Sequence, residues 1–444
     1  MPKTLHPQAQ ILLALCFGTL SFGLSAQDLK KPPFFPNKSR IIWLGDSITH
    51  QGLYSRFIED FLYSRYPRRQ LLFVNCGVNG DRSGDALNRF NLDVAPWHPT
   101  KVFVCLGMND GGFSNKGIRT LPLFQRNIRS ILQAIKGLGA QAILLSPPPV
   151  DPQVFLKFGN PPPMEEPLRG YNLVLERFTS LLEKIAQKNK IPFVDLHASL
   201  EDYNRRLKFQ NPGASLIPDG IHPGNLGSAL IAMTILSSLG EKKERLRLRF
   251  GKNRMEAHGA DVRQLHYSKR GLSFELRAHA LPWVLPEEAR GAAVLDRGYL
   301  DFNRFILQVD ALVLGTFELS VDGRPLGRFS SRRLAEGLDL SLTTEHPDWI
   351  QAEQCVAWNA ERSGLIRAGI RDIWEARRVL TKLKKEGSSG TPSFLVTQKR
   401  LKTLENNVGH VGRKVKDLEK KIREGIQPRW HSYSLQYLPS PKEG

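Results

Sequence analysis

Four short segments carry the residue types that acyl transfer needs: Gly45-Asp46-Ser47-Ile48-Thr49, Asn75-Cys76-Gly77-Val78-Asn79-Gly80-Asp81, Gly107-Met108-Asn109-Asp110 and Asp219-Gly220-Ile221-His222-Pro223. Ser47, in a tight turn from strand to helix, is a candidate nucleophile, and its backbone N–H lies near a helix N-terminus, where negative charge is favoured. Glycines in the second segment let a backbone N–H approach a ligand closely. Asn109 offers a neutral amide donor. Asp219 precedes His222 by three residues, so its carboxylate reaches the same face of a turn or short helix and can orient the imidazole as a base. With three N–H donors, Ser47, His222 and Asp219 make a complete set for attack on a carbonyl and stabilisation of the oxyanion. Each segment alone has a plainer reading: a lone Gly-Asp-Ser is usually only a turn, and an isolated Asp-x-x-His a cap or surface pair. Their order and their places at successive strand ends argue against coincidence. No His/Cys cluster has zinc spacing, and the chemistry calls for neither metal nor cofactor.

Such segments need a scaffold that ends several strands at one edge. Apolar runs at 40–44, 71–75, 102–106, 142–146 and 191–195 predict five strands. Between them lie amphipathic stretches such as Ile128, Ile131, Leu132 and Ile135, with helical spacing. This alternation predicts an α/β fold, a parallel sheet covered by helices on both faces, with ligands beyond the carboxyl ends of the strands. Proline clusters at 147–149 and 161–163 mark a long loop after the fourth strand, where a cleft could be walled.

The four blocks resemble those of the GDSL or SGNH hydrolase superfamily, named for Ser, Gly, Asn and His, and the resemblance covers residues 38–240. It implies a three-layer parallel sheet in the order 2-1-3-4-5, Ser47 as nucleophile, Asp219 and His222 completing the triad, and an oxyanion hole of the Ser47 N–H, the Gly80 N–H and the Asn109 side chain. No G-x-S-x-G elbow is present, which disfavours the ordinary α/β-hydrolase fold. One departure is His50, where acetylesterase-like members often carry an acidic residue; it bears on the pocket rim. In the implied order strand one separates Cys76 from Cys105, too far apart for a disulfide. GDSIT, the Gly80-Asp81 pair and an exported character resemble the carbohydrate acetylesterase branch, implying removal of O-acyl, chiefly acetyl, groups from an acylated carbohydrate. The alternatives are a lysophospholipase or thioesterase, which needs an apolar acyl channel, and an inactive surface-binding module.

The 444 residues bear 63 Lys+Arg against 43 Asp+Glu, a net charge of +20, with 41% hydrophobic residues. This is a globular composition of two or three domains at roughly 150 residues each. Residues 11–24 form an apolar run too short to span a bilayer, and small residues Ser25 and Ala26 follow, so 1–26 reads as a signal peptide and the chain as exported, periplasmic or extracellular. Bulky Leu15 disfavours lipidation at Cys16. No later stretch is long enough for a transmembrane helix. Residues 27–245 make the hydrolase-like domain. From 246 to 350 apolar and polar residues alternate and Asp322-Gly323 signals a hairpin, predicting a small antiparallel β unit. Residues 351–427 read as an inserted helical hairpin, with a coiled-coil seam from Leu401 to Ile422 and Ile366, Ile370, Ile373, Leu380 and Leu383 opposite. Intermolecular pairing of the seam is the alternative. Residues 428–444 add a strand and tail. Residues 376–425 carry 14 Lys+Arg against 5 Asp+Glu. That is either a solvated face or a dock for an acidic polymer or cell surface. No nucleic-acid-binding motif is present.

Overall fold

In the computed structural model, which describes residues 33–157, 170–241, 245–252 and 254–439, the five apolar runs pair as one parallel sheet. Its strands are β1 (Arg40–Gly45), β2 (Leu72–Gly77), β3 (Lys101–Cys105), β4 (Gln141–Leu145) and β5 (Phe193–Val194), in the order β2-β1-β3-β4-β5. Gly45 stands level with Gly77 on one side and Cys105 on the other, so the first three chemistry-bearing segments leave the sheet side by side. Helices α1 (Ser47–Gln51), α2 (Leu53–Arg65), α3 (Ser83–Asp93), α4 (Leu121–Gly137), α5 (Pro152–Lys157), α6 (Tyr171–Asn189), α7 (Leu196–Gln210) and α8 (Asn225–Ser238) complete this domain. The α4 stripe Phe124, Ile128, Ile131, Leu132 and Ile135 is buried, as its spacing requires. Cys76 and Cys105 lie in the strands flanking β1, as free, buried thiols.

Beyond residue 245 the single antiparallel unit expected from the alternation is two sheets packed face to face. One holds β6 (Leu246–Gly251), β7 (Arg254–His258), β10 (Phe305–Val309) and β13 (Leu338–Asp339), in the order β13-β10-β6-β7. The other holds β8 (Ala260–Ser268), β9 (Gly271–Ala278), β11 (Thr316–Val321), β12 (Arg324–Ser330) and β14 (His431–Leu438), in the order β12-β11-β14-β9-β8. Leu248, Phe250, Phe274, Leu307, Phe317, Leu319 and Tyr433 share one core between them. β6 and β10 pair in parallel, not antiparallel. The intervening chain is long enough for the crossover a parallel pair needs. Part of that crossover, including Trp283, Leu285, Tyr299 and Phe302, packs into the core of the α/β domain. Phe61 meets Trp283 and Phe302 there, with ring centroids 5.4 and 5.1 Å away.

The helical region enters between β13 and β14. α9 (Pro347–Ile366) runs through a π-helical turn at Arg367–Arg371 into α10 (Asp372–Lys385), and α11 (Pro392–Gly425) returns. Arg362–Glu419 (3.3 Å), Arg377–Glu405 (2.8 Å) and Arg400–Asp372 (2.9 Å) pair across the two arms, which fixes them as antiparallel. Val415, Leu418 and Ile422 are buried, whereas Val408 is 40% exposed, so the apolar seam is tightest near the base. There Trp349, Cys355 and Val356 pack with Leu281, Val284 and Ile426. The hairpin is also locked onto α2: buried Arg362 lies 3.0 Å from Glu59, and Asn359 donates to Asp60 at 2.8 Å. Buried Asp348 joins strand, helix and sandwich, 3.1 Å from Arg245 and 3.4 Å from His431. Among the described residues no helix is long and apolar enough to cross a membrane. The expected signal segment and the prolines at 161–163 lie outside the described residues.

Candidate active site

β1 ends at Gly45, and Asp46 caps the helix that follows by accepting from the Ile48 N–H at 3.0 Å. Burial pushes the Asp46 carboxyl up to about 8. The cap makes Ser47 the first residue of α1, leaving its N–H without an intrahelical partner. Asp219 and His222 approach from the loop before α8. Their turn passes through Gly220 at φ +85°, where a Cβ would lie 2.6 Å from the Phe155 Cβ, so no other residue fits without displacing α5. His222 Nε2 lies 2.8 Å from Ser47 Oγ, and its Nδ1 lies 2.7 Å from Asp219 Oδ2. The other Asp219 oxygen accepts from the backbone N–H groups of Ile221 (2.9 Å) and His222 (2.7 Å). Partial burial raises the Asp219 pKa, but these N–H groups and the imidazole outweigh it and hold the carboxyl below its ordinary range. An ionised carboxylate only accepts, so Nδ1 carries the proton and Nε2 presents a lone pair to the Ser47 hydroxyl.

Gly80 and Asn109, expected to donate to an oxyanion, line the cleft beside them. Gly80 takes φ +70° in the loop after β2 and lines the same cleft as Ser47, Asn109 and His222. Asn109 spends one amide proton on the Asp81 carbonyl oxygen at 3.0 Å, which leaves the other for a ligand. Asp110 ties the loops together, accepting from the Ser83 N–H at 3.0 Å at the start of α3. The structure thus brings all five residues singled out in the sequence, Ser47, Gly80, Asn109, Asp219 and His222, to one place.

The cleft holds ≈ 790 Å³, and its other wall is one that local sequence reading did not reveal: Arg367, Ala368, Asp372, Glu375 and Arg400 from the hairpin. The proline loop at 147–149 is not part of its lining. His50 Nδ1 carries a proton and donates it to the Gly77 carbonyl oxygen at 3.1 Å, and its Nε2 faces Asp372 (3.6 Å) and Glu375 (4.0 Å). Two carboxylates of α10 thus stand beside His50. Burial, reinforced by Arg371, lowers the His50 pKa. Arg400 already pairs with Asp372, and Asn79 donates to Glu375 at 3.0 Å, so this trio is held by protein partners. A second trio of possible metal ligands, Glu176, His197 and Glu201, lies on α6 and α7 outside the cleft lining.

Residues 43–230 match the model of the GDSL-like Lipase/Acylhydrolase family. The chain is 25% identical to an acetylxylan esterase of Geobacillus stearothermophilus over 222 residues, 45% of this chain and 94% of that protein. It is 27% identical to an isoamyl acetate-hydrolyzing esterase of Saccharomyces cerevisiae over 205 residues, 41% of this chain and 78% of that one. The solved structure of a gut microbial diltiazem-metabolizing enzyme matches with a TM-score of 0.81 at 22% identity, over 92% of this chain and 99% of that one, a likeness of fold across nearly the whole molecule.

Proposed function

Residues 43–230 form a GDSL-like lipase/acylhydrolase domain of a carboxylic ester hydrolase, and from that premise we propose an exported serine esterase that removes O-acyl groups, chiefly acetyl, from carbohydrate. The observation that carries the catalytic assignment is the unbroken line from Asp219 through His222 to Ser47 Oγ, with both hydrogen bonds below 3 Å. His222 Nε2 takes the hydroxyl proton as Oγ attacks the ester carbonyl. The oxyanion is received by the Ser47 N–H, the Gly80 N–H and Asn109 Nδ2. Collapse expels the alcohol, which takes its proton from His222; water then hydrolyses the acyl-enzyme by the same relay.

The substrate class rests on the cleft wall and on the relatives. His50, Arg367, Asp372, Glu375 and Arg400 give the cleft a polar, charged lining in which, among the described residues, only Phe113, Ile221 and Ala368 are apolar. Such a surface suits hydroxyl-rich sugar and not a long acyl chain. Two acetate-ester hydrolases among the relatives favour a short acyl group. Hydrolysis of p-nitrophenyl esters from acetyl to decanoyl, with acetate release from acetylated xylooligosaccharides, tests the reading in wild type and Ser47→Ala. It predicts an acetyl preference and release from the oligosaccharide, both lost in the variant. A decanoyl preference would move the assignment to lipid substrates, and activity in neither protein would favour a binding module. Export is proposed from residues 1–26, and its check is a mature N-terminus near Gln27 by mass spectrometry. Exposed Lys382, Lys384, Lys385, Lys399 and Lys402 on the hairpin are proposed to dock an acidic polymer. Retention on an acidic polysaccharide should then weaken with added salt and in their glutamine variants; salt-insensitive retention would sink the idea.

A further inference from the structure

Arg378 lies on α10, almost 300 residues from the loop after β2, and its guanidinium donates to the Asn79 carbonyl oxygen. That oxygen and the Gly80 N–H belong to one peptide group. No peptide bond among the described residues is cis, so the C=O and N–H of this group point in opposite directions. Anchoring the oxygen on Arg378 therefore fixes the direction of the N–H. Acceptance of a charged donor at the oxygen also polarises the peptide and strengthens the N–H as a donor. No partner for the Gly80 N–H is found among the described residues, which leaves it available at the cleft surface.

The same hairpin face grips the loop on both sides of this peptide. Glu375 Oε2 accepts from Asn79 Nδ2 at 3.0 Å. Arg378 Nε lies 3.6 Å from Asp81 Oδ1. Asp81 is fully buried; its other carboxylate oxygen is held by Arg89 at 2.6 Å. The Asp81 carbonyl in turn holds the Asn109 side chain. One guanidinium thus acts on two oxyanion donors: on the Gly80 N–H through its own peptide group, and on Asn109 through Asp81. We infer that Arg378 is a positioning residue of the oxyanion hole, so that the inserted hairpin completes the catalytic apparatus and is more than a cleft wall. The inference rests on the assignment of Gly80 and Asn109 as oxyanion donors given above.

The test uses the full chain as wild type, Ser47→Ala, Arg378→Met and Arg378→Lys. Its readouts are p-nitrophenyl acetate kinetics, thermal melting, and inhibition by phenylboronic acid, whose adduct with Ser47 places an oxygen in the oxyanion hole. The expected result is a fall in kcat of about 10- to 100-fold for Arg378→Met with KM little changed, since a donor is misplaced and not removed. Boronate affinity should fall in proportion, guanidinium ion should restore part of the rate, and Arg378→Lys should lie between. Unchanged kcat and boronate affinity in both variants, with Ser47→Ala inactive, would overturn the inference. So would a loss of activity that tracks lowered melting temperature and raised KM, which is what a purely structural clamp would give. Full activity in Ser47→Ala would instead remove the serine mechanism beneath it.

Discussion

At the residue scale five residues divide one reaction among four side chains and two backbone N–H groups. Removing the Asn109 amide should lower kcat by about 10²- to 10³-fold while leaving KM close to wild type, because the donor acts on the oxyanion and not on the ground-state ester. Asp219→Asn should be as damaging or more, about 10²- to 10⁴-fold, since the amide no longer enforces the Nδ1–H tautomer of His222. Both are read from steady-state kinetics on p-nitrophenyl acetate. The pH dependence follows from the direction of the Asp219 shift. Its folded pKa is depressed, so its support is present above the ordinary carboxylate range and disappears only as pH falls through the lower folded value. The carboxylate stretch assigned to Asp219 by infrared difference against Asp219→Asn should therefore keep its ionised form on acidification to about pH 4. Protonation of this group above that pH would show the carboxylate is not held ionised. These residues were legible in the sequence because each sits in a short segment whose chemistry is local: Asp46 caps its own helix, and Asp219 reaches His222 across a single turn.

At the scale of elements, legibility stops where contacts become long-range. The strands of the parallel sheet announce themselves by short apolar runs, and the seam of α11 by its spacing. Nothing local marks Arg367, Asp372 and Glu375 as cleft residues, or Arg378 as a neighbour of the loop after β2, for they read as the polar face of an amphipathic helix. The partners of Glu375 and Arg378, Asn79 and Asp81, lie almost 300 positions earlier. The parallel pairing of β6 with β10 was hidden for the same reason, since each strand has the alternation of an antiparallel one. The hairpin's hold on the α/β domain is itself testable. Arg362, 2% exposed, faces Glu59 and Glu419. Arg362→Ala leaves their charges without a buried counter-ion and should destabilise the protein by about 3–5 kcal/mol. Thermal or urea denaturation checks this, and a melting temperature equal to wild type would mean that the hairpin is not docked through this pair.

At the scale of the whole molecule, three cores are joined through buried polar hubs. Burial raises the Asp348 pKa, but its bond to His431 and the nearby His346 and Arg245 outweigh that and hold it down at about 2. Because the folded value lies below the unfolded one, the stabilisation is complete above about pH 4 and is lost as pH falls toward 2, amounting to about 2 kcal/mol. Denaturation at pH 6 and pH 3 should show about half of that loss in the wild type and a smaller one in Asp348→Asn. The fold shared across nearly the whole chain with a solved structure fits a molecule in which the sandwich carries the hairpin and the hairpin closes the cleft over a serine on the α/β sheet. The central claim, that Ser47 is activated by His222 and Asp219, is met most directly by reaction with a fluorophosphonate followed by peptide mass spectrometry. One adduct per chain is expected, on Ser47, formed rapidly in the wild type and lost in His222→Ala. Labelling at another residue, or equal labelling of Ser47 in the His222 variant, would contradict it.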